Sequence, residues 1–338
     1  MAKLFRILSI DGGGIRGVLP GEILVELERL LQLKSGNSSA RIADHFDLVA
    51  GTSTGGILTC LYICPDVKQP SRPRFTAREA VNLYLLHGNR IFRDVVRTHQ
   101  RGATQQEKYP AAPLESVFQE YFDDLRLSQM LRPCLVTSYN ILKRSTHFFT
   151  SHDAQNDPGC DYYVREVARA TTAAPTYFEP ARVTAMDGKT YPLIDGGVFA
   201  NNPALCAFAE AEQILAKAAD HPVSAKHIFM LSIGTASMRR GYDYHPGQGW
   251  GKQGFVPPVL DVLMSGAGDT VDFQAAKVFE AAGAAENYVR INPGIGKADG
   301  AMDNGSERNL KALHEAGQES ASRHSETLDR VAEILLKG

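Results

Sequence analysis

The sequence predicts an α/β fold with a mainly parallel central sheet flanked by helices. Three observations predict it. Strand-like and helix-like patterns alternate, glycine-rich turns recur where a strand passes into a helix, and no repeat or low-complexity block interrupts the alternation. The 338 residues are 43% hydrophobic and 22% charged, which supplies a large core. Lys plus Arg (36) against Asp plus Glu (38) leaves a formal charge of −2, so there is no basic footprint for DNA or RNA. The expected organisation is one domain over residues 1–338, with a motif-bearing core over about 4–236 and a mostly helical part over about 237–338.

The elements follow in order. Leu4 to Ile10 reads as a first strand, an unbroken apolar run apart from Arg6 and Ser9. Ile23, Leu27, Leu30 and Leu31 share one face of a helix that begins near Pro20, a residue suited to a first turn. Phe46 to Ala50 is the second strand and Ile57 to Cys64 a short buried helix. A helix is expected around Ala77 to His87, then a polar, loop-like stretch from Thr98 to Pro113. Leu135 to Ile141, His147 to Thr150, Tyr191 to Ile194 and Ile228 to Ile233 read as strands, with a helix from Pro203 to Lys217. The Gly-, Tyr- and Pro-rich segment from Ala236 to Pro258 reads as a loop or lid. Beyond it, Leu310, Leu313, Leu328, Val331 and Leu335 mark one amphipathic C-terminal helix.

Cysteine usage and hydropathy set the compartment. Cys60, Cys64, Cys134, Cys160 and Cys206 are odd in number and include no Cys-x-x-Cys pair, which argues against a disulfide framework or structural zinc and for a reducing cytosol. Cys60 and Cys64, four apart on an apolar helix, read as core, as do Leu85, Leu86, Ile91 and Phe92. The apolar stretch within Met1 to Ile10 is too short for a signal peptide. The longest uncharged run, between Asp47 and Asp66, is rich in Gly and Thr and reads as a buried strand–turn–helix, not a membrane span. A soluble protein is expected.

Three turns carry the chemistry. Asp11-Gly12-Gly13-Gly14-Ile15-Arg16-Gly17 contains G-x-G-x-x-G, yet the second strand lacks the acidic residue a dinucleotide site wants. Consecutive glycines near a helix N-terminus can instead receive an anion on their N–H groups, either a phosphate or a developing oxyanion. Gly51-Thr52-Ser53-Thr54-Gly55 is G-x-S-x-G between a strand and a helix, a context that exposes a serine hydroxyl at a sharp turn. A P-loop is excluded, because Ile57 and Leu58 follow Gly56. Asp195-Gly196-Gly197 places a carboxylate at a strand end, where it either caps a turn or accepts the Ser53 proton. A histidine base would come from His221, His227, His245, His314 or His324. None has a motif around it, and His314 and His324 fall on the terminal helix, where they are expected to be solvated. The turns point to a serine–aspartate dyad.

Taken together, these residues resemble the patatin-like phospholipases, a family of lipid acyl hydrolases. The three turns match, as do Ala170-Thr171-Thr172-Ala173-Ala174-Pro175-Thr176-Tyr177-Phe178, Asn201-Asn202-Pro203 and Ser232-Ile233-Gly234-Thr235, all in family order. The resemblance implies a three-layer fold and cleavage of fatty-acyl esters of membrane phospholipids. It implies Ser53 as nucleophile, Asp195 as general base, and an oxyanion hole from Gly12, Gly13 and Gly14 supported by Arg16. It implies no metal or organic cofactor, and no calcium loop is present in the sequence. Some bacterial relatives are switched on by cyclic dinucleotides in antiphage defence and then degrade the membrane, acting peripherally at its inner surface. For that role Arg239, Arg240 and Tyr242, with Tyr244, Trp250 and Lys252 nearby, offer cations and rings to a nucleotide, with homo-oligomers forming on activation. An unregulated lipid acyl hydrolase is the alternative. An α/β-hydrolase with a Ser-His-Asp triad, or an idle lipid-binding module, lies further off.

Overall fold

Eight strands form one mixed, mostly parallel sheet in a computed structural model that describes residues 4–93, 107–218, 223–236 and 252–337. They are β1 (Phe5–Ile10), β2 (Leu48–Thr52), β3 (Cys134–Asn140), β4 (Ser145–Thr150), β5 (Ala181–Thr184), β6 (Thr190–Asp195), β7 (Ile228–Ile233) and β8 (Tyr288–Ile291). The order is β5-β6-β3-β2-β1-β7-β8, with β4 also on β3. The pairings among β3, β2, β1, β7 and β8 are parallel, while β4, β5 and β6 pair antiparallel. Central strands β1, β2 and β7 are buried almost throughout, as parallel strands covered on both faces must be.

Eleven α-helices occur among the described residues: α1 (Val18–Ser35), α2 (Thr54–Tyr62), α3 (Ala77–Ile91), α4 (Ala112–Phe122), α5 (Ser151–Ala154), α6 (Val164–Thr171), α7 (Gly197–Ala200), α8 (Ala204–Ala218), α9 (Lys252–Ala281), α10 (Glu307–Arg323) and α11 (Ser325–Leu336). Pro20 sits in the first turn of α1, and Gly36 ends that helix with a left-handed φ of 66°. Thr76 and Glu79 start α3 with a reciprocal capping box. Helix α2 is apolar on every side and buried throughout. Helices α3, α10 and α11 pack on α1, while α8 covers the other face of the sheet over Ile7, Leu48 and Ala50.

Five expectations about the fold need correction. The polar stretch to Pro113 gives way to α4, with Pro113 in its first turn; residues 98–106 of it lie outside the described residues. Helix α9 begins at Lys252, inside the segment expected to be loop or lid, whose residues 237–251 also lie outside. The single C-terminal helix is two, broken at His324, and the helical region before it contains strand β8. Leu86 is 70% exposed rather than core, whereas Cys60 and Cys64 are buried as expected. No helix among the described residues is long and apolar enough to cross a membrane.

Candidate active site

The register of β3 brings two distant residues together. Strand β2 pairs with Cys134 to Thr137 of β3, and β6 pairs with Ser138 to Asn140. Strand β4 lines β3 from Leu135 to Asn140, so β2 and β6 share the opposite edge and meet head-on. Thr52 lies opposite Thr137, and Asp195 opposite Ser138, the next residue. Ser53 follows Thr52. The meeting of two strand ends therefore sets Ser53 beside Asp195.

Ser53 stands at a strained elbow between β2 and α2, with φ 54° and ψ −120°. The flanking glycines are required by space. A Cβ on Gly51 would stand 2.1 Å from the Gly55 carbonyl oxygen, and one on Gly55 2.1 Å from that of Ile10. The Ser53 N–H donates to Thr171 Oγ1 at 2.8 Å, which ties the elbow to α6. Thr52 Oγ1 donates to the Ala200 carbonyl (2.6 Å), so Thr137 Oγ1, 2.7 Å away, is its donor in turn. Ser53 itself is 7% exposed.

Asp195 is 2% exposed. Its N–H donates to the Ala173 carbonyl (3.0 Å), and its Oδ1 accepts the Gly197 N–H at 2.7 Å. Burial pushes its carboxyl from the ordinary 3.8 to about 7, against the opposing pull of the Ser53 hydroxyl and the Gly197 amide. Oδ2 makes no hydrogen bond of ordinary geometry among the described residues, and the Ser53 hydroxyl lies close enough to the carboxyl to act on it.

The Gly12–Gly14 loop abuts Ser53: a Cβ on Gly12 would stand 3.3 Å from that of Ser53. Its carbonyls are held from behind. Thr235 Oγ1 donates to the Gly12 carbonyl (2.6 Å) and Arg16 Nε to that of Gly13 (3.2 Å). In a trans peptide the N–H points away from the carbonyl, so these anchors turn the Gly13 and Gly14 N–H groups the other way. Neither N–H meets a protein acceptor among the described residues. The Gly12 N–H does, donating to the Asn201 carbonyl at 2.9 Å, and this removes Gly12 from the expected donor set.

Residues far along the chain complete the loop. Both Asp11 carboxylate oxygens accept from Arg290 of β8, at 2.9 and 2.6 Å, and Arg290 also reaches Ser232 Oγ at 2.8 Å. Burial pushes the Asp11 carboxyl up and Arg290 pulls it back; the two-pronged geometry argues for an ionised pair. The Ile15 N–H donates to the Met302 carbonyl at 2.8 Å. Sequence reasoning missed Arg290 and Met302 altogether, and gave no role to Thr171, Thr235 or Asn201. The legible signal was Asp11, a carboxylate beside buried glycines that needs a cation.

No described histidine touches Ser53 or Asp195. His227 precedes β7, at the sheet end opposite the elbow, and its Nδ1 accepts from the Ser224 N–H. His314 is not simply solvated, since its Nδ1 lies 2.7 Å from Glu22 Oε1, and His324 reaches the Ser320 carbonyl. His221 and His245 lie outside the described residues, as do Arg239, Arg240 and Tyr242.

Comparison with known proteins supplies the family. The sequence profile described as Patatin-like phospholipase matches residues 8–208. The chain belongs to the patatin-like phospholipase family. Patatin-like protein 3 of Arabidopsis thaliana is 34% identical over 94% of this chain and 80% of its own length. Patatin group J-1 of Solanum tuberosum is 30% identical over 99% and 90%. Among solved structures, VipD from Legionella pneumophila covers 96% of this chain and 67% of its own, at 11% identity and a TM-score of 0.36, too distant to carry an argument. As a patatin-like phospholipase the protein is a lipid acyl hydrolase.

Proposed function

We propose that Ser53 and Asp195 form the catalytic dyad and cleave fatty-acyl esters of membrane phospholipids through an acyl-enzyme. Asp195 takes the proton of Ser53 Oγ as that oxygen attacks the ester carbonyl. The oxyanion is received by the N–H groups of Gly13 and Gly14, with Arg16 holding the loop. The intermediate collapses to acyl-Ser53, and the leaving alcohol departs with the proton from Asp195. Water then attacks the acyl-enzyme and gives its proton to Asp195; the C–Oγ bond breaks, Ser53 Oγ takes that proton back from Asp195, and the fatty acid leaves. The head-on meeting of β2 and β6 carries the reading, because it seats a strained serine beside a buried carboxylate. A carboxyl titrating at about 7 can both take and return a proton near neutrality. The test is Ser53→Ala and Asp195→Asn, each expected to abolish ester hydrolysis with the fold intact, the double variant being little worse than either. A serine-directed fluorophosphonate should label the wild type and not Ser53→Ala. Near-normal turnover in Ser53→Ala ends the reading.

The proposal extends to regulation. The enzyme is an antiphage effector, quiet until a cyclic dinucleotide binds at Arg239, Arg240 and Tyr242 and it assembles on the membrane. Support for this part comes from the sequence alone, in two adjacent cations and a stacking ring. Coupling of the usual size gives about 5- to 150-fold activation. Fatty-acid release from vesicles, with and without a panel of cyclic dinucleotides, decides it. Full activity without any ligand leaves an unregulated lipid acyl hydrolase with the same dyad.

A further inference from the structure

We propose that the β3–β4 hairpin, together with the adjoining surface of α7 and α9, is the face on which the enzyme settles on an anionic phospholipid bilayer. The inference rests on lipid acyl hydrolysis at the Ser53–Asp195 site. An enzyme whose serine is nearly covered must bring the rim of that site to the lipid. Strand β3 runs three residues past Thr137, the partner of Thr52, so the hairpin projects from the sheet end that bears the elbow.

The rim is apolar. Ile141 and Phe148 are exposed, and Leu142, at the hairpin tip, is exposed to 72%. Scattered apolar residues are ordinary on any surface. These are linked to the site. The Phe199 ring lies 5.8 Å from that of Phe148 and 6.3 Å from that of Tyr139, and Phe199 belongs to α7, four residues beyond Asp195. Helix α9 packs on α7 too, with Met264 against Gly197, and its Val262 and Leu263 are more than half exposed.

Charge selects the lipid. Residues 141–148 contain Lys143 and Arg144 and no carboxylate. Two cations beside an exposed leucine fit a headgroup layer with acyl chains beneath it, and they favour phosphates that are not neutralised by choline. The tip is also held in shape, because Asn140 Oδ1 accepts from the N–H groups of Leu142 (3.0 Å) and Lys143 (2.9 Å). The apolar side chains are presented without a prior ordering step.

Flotation with ether-linked lipids, which the enzyme cannot cleave, measures binding apart from hydrolysis. Wild type should float with vesicles of phosphatidylglycerol and phosphatidylethanolamine, and less with phosphatidylcholine. Ile141→Ser with Leu142→Ser should lower binding about tenfold, and hydrolysis of ester-linked vesicles with it, while turnover of a short soluble ester is unchanged. Lys143→Gln with Arg144→Gln should remove the preference for phosphatidylglycerol. Wild-type binding in the serine variant overturns the proposal. So does a change of oligomeric state in that variant with vesicle binding retained, which would assign the surface to a second copy of the chain. Failure of the wild type on the soluble ester would count against the dyad instead, and flotation would still judge the docking face.

Discussion

In the proposed dyad, Asp195 sets how the enzyme responds to pH. A base must be ionised, so turnover of a soluble ester should rise with pH and level off above about 7. Stability runs the opposite way. The folded state holds the Asp195 proton to about 7, whereas the unfolded chain releases it near the ordinary 3.8. The favourable contribution is complete below that lower value and is lost as pH rises through the upper one. A difference of that span corresponds to roughly 4 kcal/mol, as an order of magnitude. Asp195→Asn removes the charge and keeps an acceptor for the Gly197 N–H. It should be inactive yet melt higher than wild type at pH 8, with the gap closing toward pH 4. Parallel melting curves at both pH values would show that the carboxyl titrates normally, and the pH argument would fall.

At the scale of elements, the proposed oxyanion loop shows why its glycines differ. A Cβ at Gly13 or Gly14 is expected from sequence to meet a positive φ or the reacting ester. Gly13 is extended, with φ 169°, and its Cβ would strike Thr235 Oγ1 at 2.2 Å. Gly14 has φ 60°, and its Cβ would strike the Met302 carbonyl at 2.1 Å. Gly14→Ala must therefore displace a proposed donor, and a lost oxyanion donor lowers kcat by about 10²–10³. Gly36 is the control, with the same sign of φ and open space around it. Gly36→Ala should cost about 1–2 kcal/mol in urea unfolding and leave kcat alone. Equal kcat losses in the two variants would refute the assignment of the loop. The missed elements have local reasons. In α4, Leu114, Val117, Phe118 and Phe122 keep helical spacing, a legible signal hidden by the polar run before it. Strand β8 has four residues, too short for periodicity to separate strand from helix.

Across the whole molecule, the last third of the chain holds the first motif in place. The family match ends at residue 208, yet Thr235, Arg290 and Met302 bind the loop that follows β1. Thr235→Val removes the donor to the Gly12 carbonyl and should lower kcat about tenfold with KM held, the worth of one hydrogen bond. Thr235→Ser should restore it. Arg290→Gln leaves Asp11 charged and buried, and should destabilise by about 3–5 kcal/mol. Adding Asp11→Asn should recover much of that loss in a double-mutant cycle. Additive effects would mean that the pair does not couple the two ends of the chain.

The sequence by itself determined the parallel strands β1, β2, β3 and β7, the elbow at Ser53, the carboxylate at Asp195 and the glycine loop. Each of these is written within a few neighbouring residues, in apolar runs bounded by glycines. Only the tertiary structure decided which loop amides lack a protein acceptor among the described residues, because the Gly12 N–H is taken by Asn201, nearly two hundred residues away. It also decided that Arg290 is the cation Asp11 requires, and that the Asp195 proton is held to about 7. These depend on burial and on contacts between distant segments, and β3 creates the decisive one by seating β2 and β6 end to end along a single edge.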